Sequence, residues 1–189
     1  MPRGAAKQDK IIFLDRDGVI NYDSGIGEYI TSAASFKFYP GSLKALKKLS
    51  AAGFKIIVIS NQAGIAKGLY TQKDLDGITA KMQKGVKEIG AKLHSVYYCP
   101  HETADDCDCR KPKIGMITRA AKDLKFDWSN TFFIGDNRRD VLAAKAAGLK
   151  SIFVQSGNTK LHELDVPADY VADSLLGAVE KIVLYRLGN

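Results

Sequence analysis

A short apolar run, Lys10-Ile11-Ile12-Phe13-Leu14, stops abruptly at Asp15-Arg16-Asp17-Gly18. Two carboxylates two residues apart, just past a strand end, can divide a reaction between them. One can attack phosphorus and form an acyl-phosphate. The other can protonate the leaving oxygen and later activate water. A solvated turn would also use Asp and Gly, so the pair gains meaning only from what surrounds it. A second apolar run, Lys55-Ile56-Ile57-Val58-Ile59, ends in Ser60-Asn61-Gln62, whose hydroxyl and amides can donate to phosphate oxygens. A third, Thr131-Phe132-Phe133-Ile134, ends in Gly135-Asp136-Asn137, with Asp140 following at the start of a helix. If Asp136 sits beside Asp15, the two repel unless a cation lies between them. Oxygen-rich surroundings of this kind select magnesium. Asp140 either favours the helix dipole or supports Asp136. Lys111, in the Arg110-Lys111-Pro112 stretch, can offset the charge of a phosphoryl group and of its nucleophile.

These residues need a frame that brings separate strand ends to one edge. Apolar runs at residues 10–14, 55–59, 95–98, 131–134 and 151–154, with a short one near 169–172, are continuous rather than alternating, so they read as strands covered on both faces. Helical spacing fills the intervals: 43–52, about 72–90, about 114–125, 138–147 and about 174–187. Thr71 followed by Asp74 predicts a capping box for the second helix, with Leu75, Ile78, Met82, Val86 and Ile89 on one face. Alternating strand and helix implies right-handed crossovers and a parallel sheet. The expected fold is a doubly wound, Rossmann-like α/β three-layer sandwich, one domain over 1–189, with its site beyond the carboxyl ends of the strands.

Composition agrees with this reading. The 189 residues are 46% hydrophobic and 26% charged, with a net charge of +7. The basic residues are scattered, as at Lys44, Lys47 and Lys48, which argues against nucleic acid and is compatible with an anionic small substrate. No run approaches the ~18 apolar residues of a membrane span. Met1 to Lys10 is polar and basic without an apolar core, so a cytoplasmic monomer is expected.

The residues Phe13 to Asn21, Ser60, Lys111 and Gly135-Asp136 resemble the four motifs of the haloacid dehalogenase superfamily of phosphatases, in order and in strand context, over residues 10–157. The resemblance implies Asp15 as nucleophile, Asp17 as general acid/base, and Ser60 and Lys111 as phosphoryl clamps. It also implies magnesium held by Asp15, the backbone carbonyl of Asp17, and Asp136. Pump-type members lack a carboxylic acid at the position of Asp17, so this chain looks built to let water complete the reaction.

All three cysteines fall in Cys99-x-His101-x5-Cys107-x-Cys109. Four soft or borderline ligands on one loop fit a closed structural zinc site, whereas a disulfide is disfavoured in a reducing compartment. Zinc would pin a loop at about 99–112 that delivers Arg110 and Lys111, while His94 and His162 read as ordinary surface residues. With Cys-Pro-His and Cys-x-Cys-Arg-Lys-Pro, the chain is similar to the zinc-loop group of the superfamily. That group includes heptose-bisphosphate phosphatases, on the route to nucleotide-activated heptose, and histidinol-phosphate phosphatases. Residues 14–21, 60–68 and 113–116 look closer to the former, and the short stretch from His101 to Cys107 is similar to the latter and to some of the former.

Only 42 residues separate Asp17 from Ser60, which leaves no room for a large cap. Loops should therefore recognise the substrate, a small phosphorylated sugar or metabolite. Tyr22-Asp23-Ser24-Gly25 is the candidate for sugar hydroxyls, and by resemblance Asp23, Asn61, Gln62 and Arg110 touch substrate. Arg110 can hold a second phosphate bidentately. Asn137 stands where heptose enzymes often carry Lys, and is read as a substrate contact at that position. A polynucleotide 3′-phosphatase, or a zinc-stabilised binding module with a dead site, would be the competing functions. The intact Asp15, Asp17, Lys111 and Asp136 argue against the latter.

Overall fold

The computed structural model describes residues 8–184, except Ser24, Ile26, Gly27 and Asp123. Its strands are β1 (Ile11–Leu14), β2 (Lys55–Asn61), β3 (Leu93–Cys99), β4 (Phe132–Gly135), β5 (Lys150–Val154) and β6 (Tyr170–Ala172). They form one sheet in the order β3-β2-β1-β4-β5-β6, and every neighbouring pair is parallel. The helices are α1 (Ser42–Ala51), α2 (Gln72–Glu88), α3 (Gly115–Ala121), α4 (Arg138–Ala146) and α5 (Leu175–Ala178). After α5 the chain makes a π-helical turn over Val179–Val183; the end of the helix expected to about 187 lies outside the described residues.

The continuous apolar runs follow from the two-residue period of a strand, which sends alternate side chains to opposite faces. Ile12, Leu14, Ile56, Val58 and Ile134 pack on one face with Leu46, Ile78, Met82 and Leu175. Ile11, Phe13, Ile57, Ile59 and Phe133 pack on the other with Met116, Ile117, Ala143 and Ala144. Both faces are covered, so neither alternate set can be polar. Each large apolar side chain removed from water contributes roughly 1.5–3 kcal/mol. The sequence-predicted capping box of α2 is present: Thr71 Oγ1 accepts from the Asp74 amide at 3.2 Å, and Asp74 Oδ2 accepts from the Thr71 amide at 2.8 Å. No described helix is long and apolar enough to cross a membrane.

Sheet order decides where the chemistry sits. The chain runs outward from β1 through β2 to β3, then returns to place β4 on the other side of β1. The change of direction opens a crevice at the carboxyl ends of β1 and β4. The register pairs Leu14 with Ile134, and the Asp15 amide donates to the Ile134 carbonyl at 2.9 Å. Asp15 and Asp136 therefore emerge side by side. Between Gly18 and Gly41 the chain folds back on itself, closed by the Asn21–Phe38 bridge, and the described residues build no separate cap layer there.

Candidate active site

Lys111 occupies the centre of the crevice. It is buried, and its ammonium pairs with Asp15 Oδ2 at 2.9 Å and Asp140 Oδ1 at 2.6 Å and donates to the Ile59 carbonyl at 2.8 Å. The Phe133 ring lies beneath it, 5.4 Å away. Its main chain is fixed from β2, because the Lys111 amide donates to Asn61 Oδ1 at 3.0 Å and Asn61 Nδ2 donates to the Lys111 carbonyl at 3.1 Å. Burial alone would lower the pKa of Lys111, but the Asp140 and Asp15 charges outweigh it and hold the ammonium charged.

Asp15, Asp136 and Asp140 are all buried, with carboxylate oxygens within 4.8 Å of one another. Their environments push them apart. Burial raises the pKa of Asp15, yet the Lys111 and Arg139 charges and two hydrogen bonds leave it below the ordinary carboxylate value. Asp136 has no such cation in contact; burial and the Asp140 and Asp15 carboxylates raise its pKa well above that value. Burial also raises Asp140, against the opposing pull of Lys111. One carboxylate is thus kept ionised to act, and its neighbour is left short of a positive charge. That oxygen-only, cation-deficient set fits a hard divalent ion. Asp136 is hemmed in by main chain: a β-carbon on either Gly18, which has φ +76°, or Gly157 would overlap its Oδ2 atom. Ser156 Oγ donates to the Gly18 carbonyl at 2.6 Å and ties those two segments together.

Asp17 is caged. Arg16, fully buried, grips it through Nε at 3.0 Å and Nη2 at 2.9 Å, and Asn21 Nδ2 and Gln62 Nε2 each donate to it at 2.8 Å. Gln62 Nε2 also reaches Ser60 Oγ at 3.1 Å, while its Oε1 accepts from Arg16 at 3.0 Å and from Tyr70 at 2.6 Å. Ser60 is buried, and among the described residues its hydroxyl accepts from Gln62 and donates no hydrogen bond of its own.

Outward from this centre lies a cavity of about 360 Å³, whose lining includes Asp17, Asp23, Arg110, Asp136, Arg139 and Asn158. The sequence-predicted substrate residues divide here. Asp23 and Arg110 line the cavity, with Arg110 Nη1 also donating to the His101 carbonyl at 3.0 Å. Asn61, Gln62 and Asn137 line it too, but their amides are committed within the protein. Asn137 caps α4: its Oδ1 accepts from the Arg139 amide at 3.3 Å, and its Nδ2 donates to Thr159 Oγ1 at 2.8 Å. The three residues expected to touch substrate thus sit at the cavity and are also held by the protein. Each already has protein partners that only the folded chain supplies.

Cys99, His101, Cys107 and Cys109 converge as their spacing predicts. The sulfurs lie 3.2–3.6 Å apart, and His101 Nδ1 is 3.2 Å from Cys109 and 3.8 Å from Cys99. Disulfide sulfurs are about 2.05 Å apart, so these are not bonded. Ligands about 2.3 Å from a tetrahedral ion lie roughly 3.8 Å apart, and the four atoms approximate that arrangement. Without a cation, burial pushes the Cys99 thiol up to about 12.

Arg16, Tyr70 and Arg139 were not singled out by sequence. Arg139 carried one usable signal: a cation in the first turn of a helix opposes the helix dipole, so its presence there asks for an anion.

A parallel α/β sandwich, with an ionised aspartate and a buried lysine at the tip of a central strand and a second aspartate across the switch point, is the framework of haloacid-dehalogenase-type phosphatases. Comparison with known proteins agrees. A HAD-hydrolase-like family model matches residues 108–178. D-glycero-beta-D-manno-heptose-1,7-bisphosphate 7-phosphatase of Pasteurella multocida is 38% identical over 173 residues, spanning 88% of this chain and 92% of that protein. The Escherichia coli protein of the same name is 36% identical over 178 residues, spanning 90% and 92%. Among solved structures, the D,D-heptose 1,7-bisphosphate phosphatase of B. bronchiseptica, complexed with magnesium and phosphate, superposes with a TM-score of 0.88 at 34% identity, covering 93% of this chain and 99% of that one. The chain belongs to this family of haloacid dehalogenase phosphatases.

Proposed function

We propose that the chain removes the 7-phosphate of D-glycero-D-manno-heptose 1,7-bisphosphate through an aspartyl-phosphate on Asp15. The observation that carries the chemistry is the ion pair between buried Lys111 and Asp15, with Asp136 alongside. The relatives' shared name supports the substrate.

In this reading Asp15 Oδ attacks phosphorus while the sugar oxygen leaves with a proton from Asp17. Asp17 then takes a proton from water, whose oxygen attacks phosphorus and frees inorganic phosphate and Asp15. Ser60 and Lys111 donate to the phosphoryl oxygens. Magnesium, held by Asp15, the Asp17 carbonyl and Asp136, would supply charge neutralisation between nucleophile and phosphoryl group. Asn61 positions Lys111, and Gln62, with Arg16 and Asn21, positions Asp17. Asp23 and Arg110 face the sugar and its other phosphate. Asn137 caps α4 from the cavity lining, where it also faces the substrate.

The decisive experiment is a kinetic panel of both anomers of the heptose bisphosphate, histidinol phosphate and a 3′-phosphorylated DNA. The heptose bisphosphate is expected to lead by at least about 100-fold in kcat/KM, or ~2.7 kcal/mol of transition-state discrimination. A lead by histidinol phosphate or DNA would refute the substrate.

Magnesium binding should depend on pH in a definite direction. Asp136 has a raised pKa in the metal-free fold, so below that value the ion must displace its proton. Affinity is expected to fall as pH falls, by up to about tenfold per unit for one proton. The same raised pKa means the metal-free fold binds more protons than the unfolded chain in the window just above the ordinary carboxylate value. Its stability should therefore decline as pH rises through that window, and the gain from magnesium should grow. Calorimetry in two buffers of different ionisation heat measures the released proton; a pH-independent affinity would contradict the assignment.

The Cys3His cluster would hold one structural zinc and fix the segment that delivers Arg110 and Lys111; a cytoplasmic setting would keep its thiols reduced. Elemental analysis of fresh protein should find one zinc per chain. Stripping it is expected to lower the melting temperature and to cut kcat about 10- to 100-fold, by analogy with loss of a metal site's supporting groups. Protein purified without zinc and fully active would overturn this.

A further inference from the structure

Arg139 is the anomaly of the site. It is an arginine in the first turn of α4, where the helix dipole disfavours it. Among the described residues its side chain makes no hydrogen bond and no ion pair, although Asp140, Asp15, Asp136 and Asp23 are close enough for their charges to act on it. Its Nε atom is buried without a partner. A second donor in the same condition, Asn158 Nδ2, lines the same cavity. Buried donors without acceptors cost free energy unless a ligand completes them. A guanidinium and an amide together offer several N–H groups and no acceptor except the amide oxygen, which suits an anion with several oxygens.

Two phosphates of the proposed substrate compete for this role. The phosphate being transferred is already served by Lys111 and Ser60 beside Asp15. Arg139 forms no ion pair with Asp15, and it lines the outer cavity together with Arg110. The residue directly after Asp136 offers no cation, because it is Asn137 and its amide is used as a cap.

We propose that Arg139, with Asn158, binds the phosphate that is not cleaved and so selects a bisphosphate over a monophosphate. The assignment rests on the substrate reading above and adds the residue that enforces it. Arg139 acts by binding, not by taking part in bond making.

The test compares R139Q and R139K with wild type on two probes, the heptose 1,7-bisphosphate and the 7-monophosphate of the same sugar, with melting temperatures to verify folding. R139Q should lose about 10- to 100-fold in kcat/KM on the bisphosphate, mostly through KM, and clearly less on the monophosphate, where only the effect of its charge on Asp15 is lost. R139K should fall between, since it keeps the charge and loses the planar fork; it also stands in if R139Q does not fold. Equal losses on both probes would place Arg139 at the transferred phosphoryl group and overturn the proposal. So would a wild-type preference for the bisphosphate that survives both variants. A wild-type enzyme without that preference would instead remove the substrate reading, and this assignment with it.

Discussion

Replacing Asp15 with Asn is expected to lower kcat by at least about 10⁴-fold while leaving the fold intact. The amide is nearly isosteric and keeps an oxygen toward Lys111, so the 2.9 Å contact survives as a hydrogen bond from the ammonium to a neutral acceptor. What disappears is the anionic oxygen that attacks phosphorus. The environment makes the case sharper than a motif can, because the Lys111 and Arg139 charges hold this one carboxylate ionised while its buried neighbours Asp136 and Asp140 are pushed toward the protonated form. A rapid-quench experiment should trap labelled phosphate on the wild-type protein and none on D15N. Turnover near the wild-type rate in D15N would mean that another group attacks.

Lys111→Met should be nearly as damaging, and for two separable reasons. The first is catalytic: the cation facing the phosphoryl group is gone, for a loss on the order of 10³-fold. The second is thermodynamic. Removing one partner of a buried ion network leaves Asp15 and Asp140 uncompensated, at a cost of about 3–5 kcal/mol. For a domain of this size that lowers the melting temperature by roughly 10 °C. Adding Asp140→Asn removes one stranded carboxylate, so the double variant should recover part of the melting temperature and none of the rate. A double variant no more stable than K111M would show that Asp140 does not depend on the ammonium, despite the 2.6 Å separation.

The parts of the site that were legible in the sequence are those carried by local pattern. Phe13 and Ile12 face opposite layers, so the run that contains them had to be apolar throughout and its end had to be abrupt. The four metal-binding-type residues from Cys99, the last residue of β3, to Cys109 on the following loop lie within eleven positions and needed no tertiary information to be grouped. What could not be read is pairing across the sheet. Asn61 and Lys111 are fifty positions apart, and only the adjacency of β2 and β3 lets an amide that looks available to a substrate spend both of its atoms on a main chain. Arg16 lies between two aspartates in an apparently solvated turn, and nothing local shows that it is fully buried against Asp17 and 5.5 Å from the Tyr98 ring. Asp140 was visible as a residue at a helix start, but its contact with Lys111 depends on the loop that follows β3.

Gly18 and Gly157 do no chemistry, yet they approach Asp136 from opposite ends of the sequence and leave no space for even a methyl group. A narrow tolerance to replacement thus falls on two residues whose side chains have nothing to ionise, donate or attack. A variant at either position would present as an inactive enzyme with every reactive group still in place, the fault lying in where a carboxylate is permitted to rest.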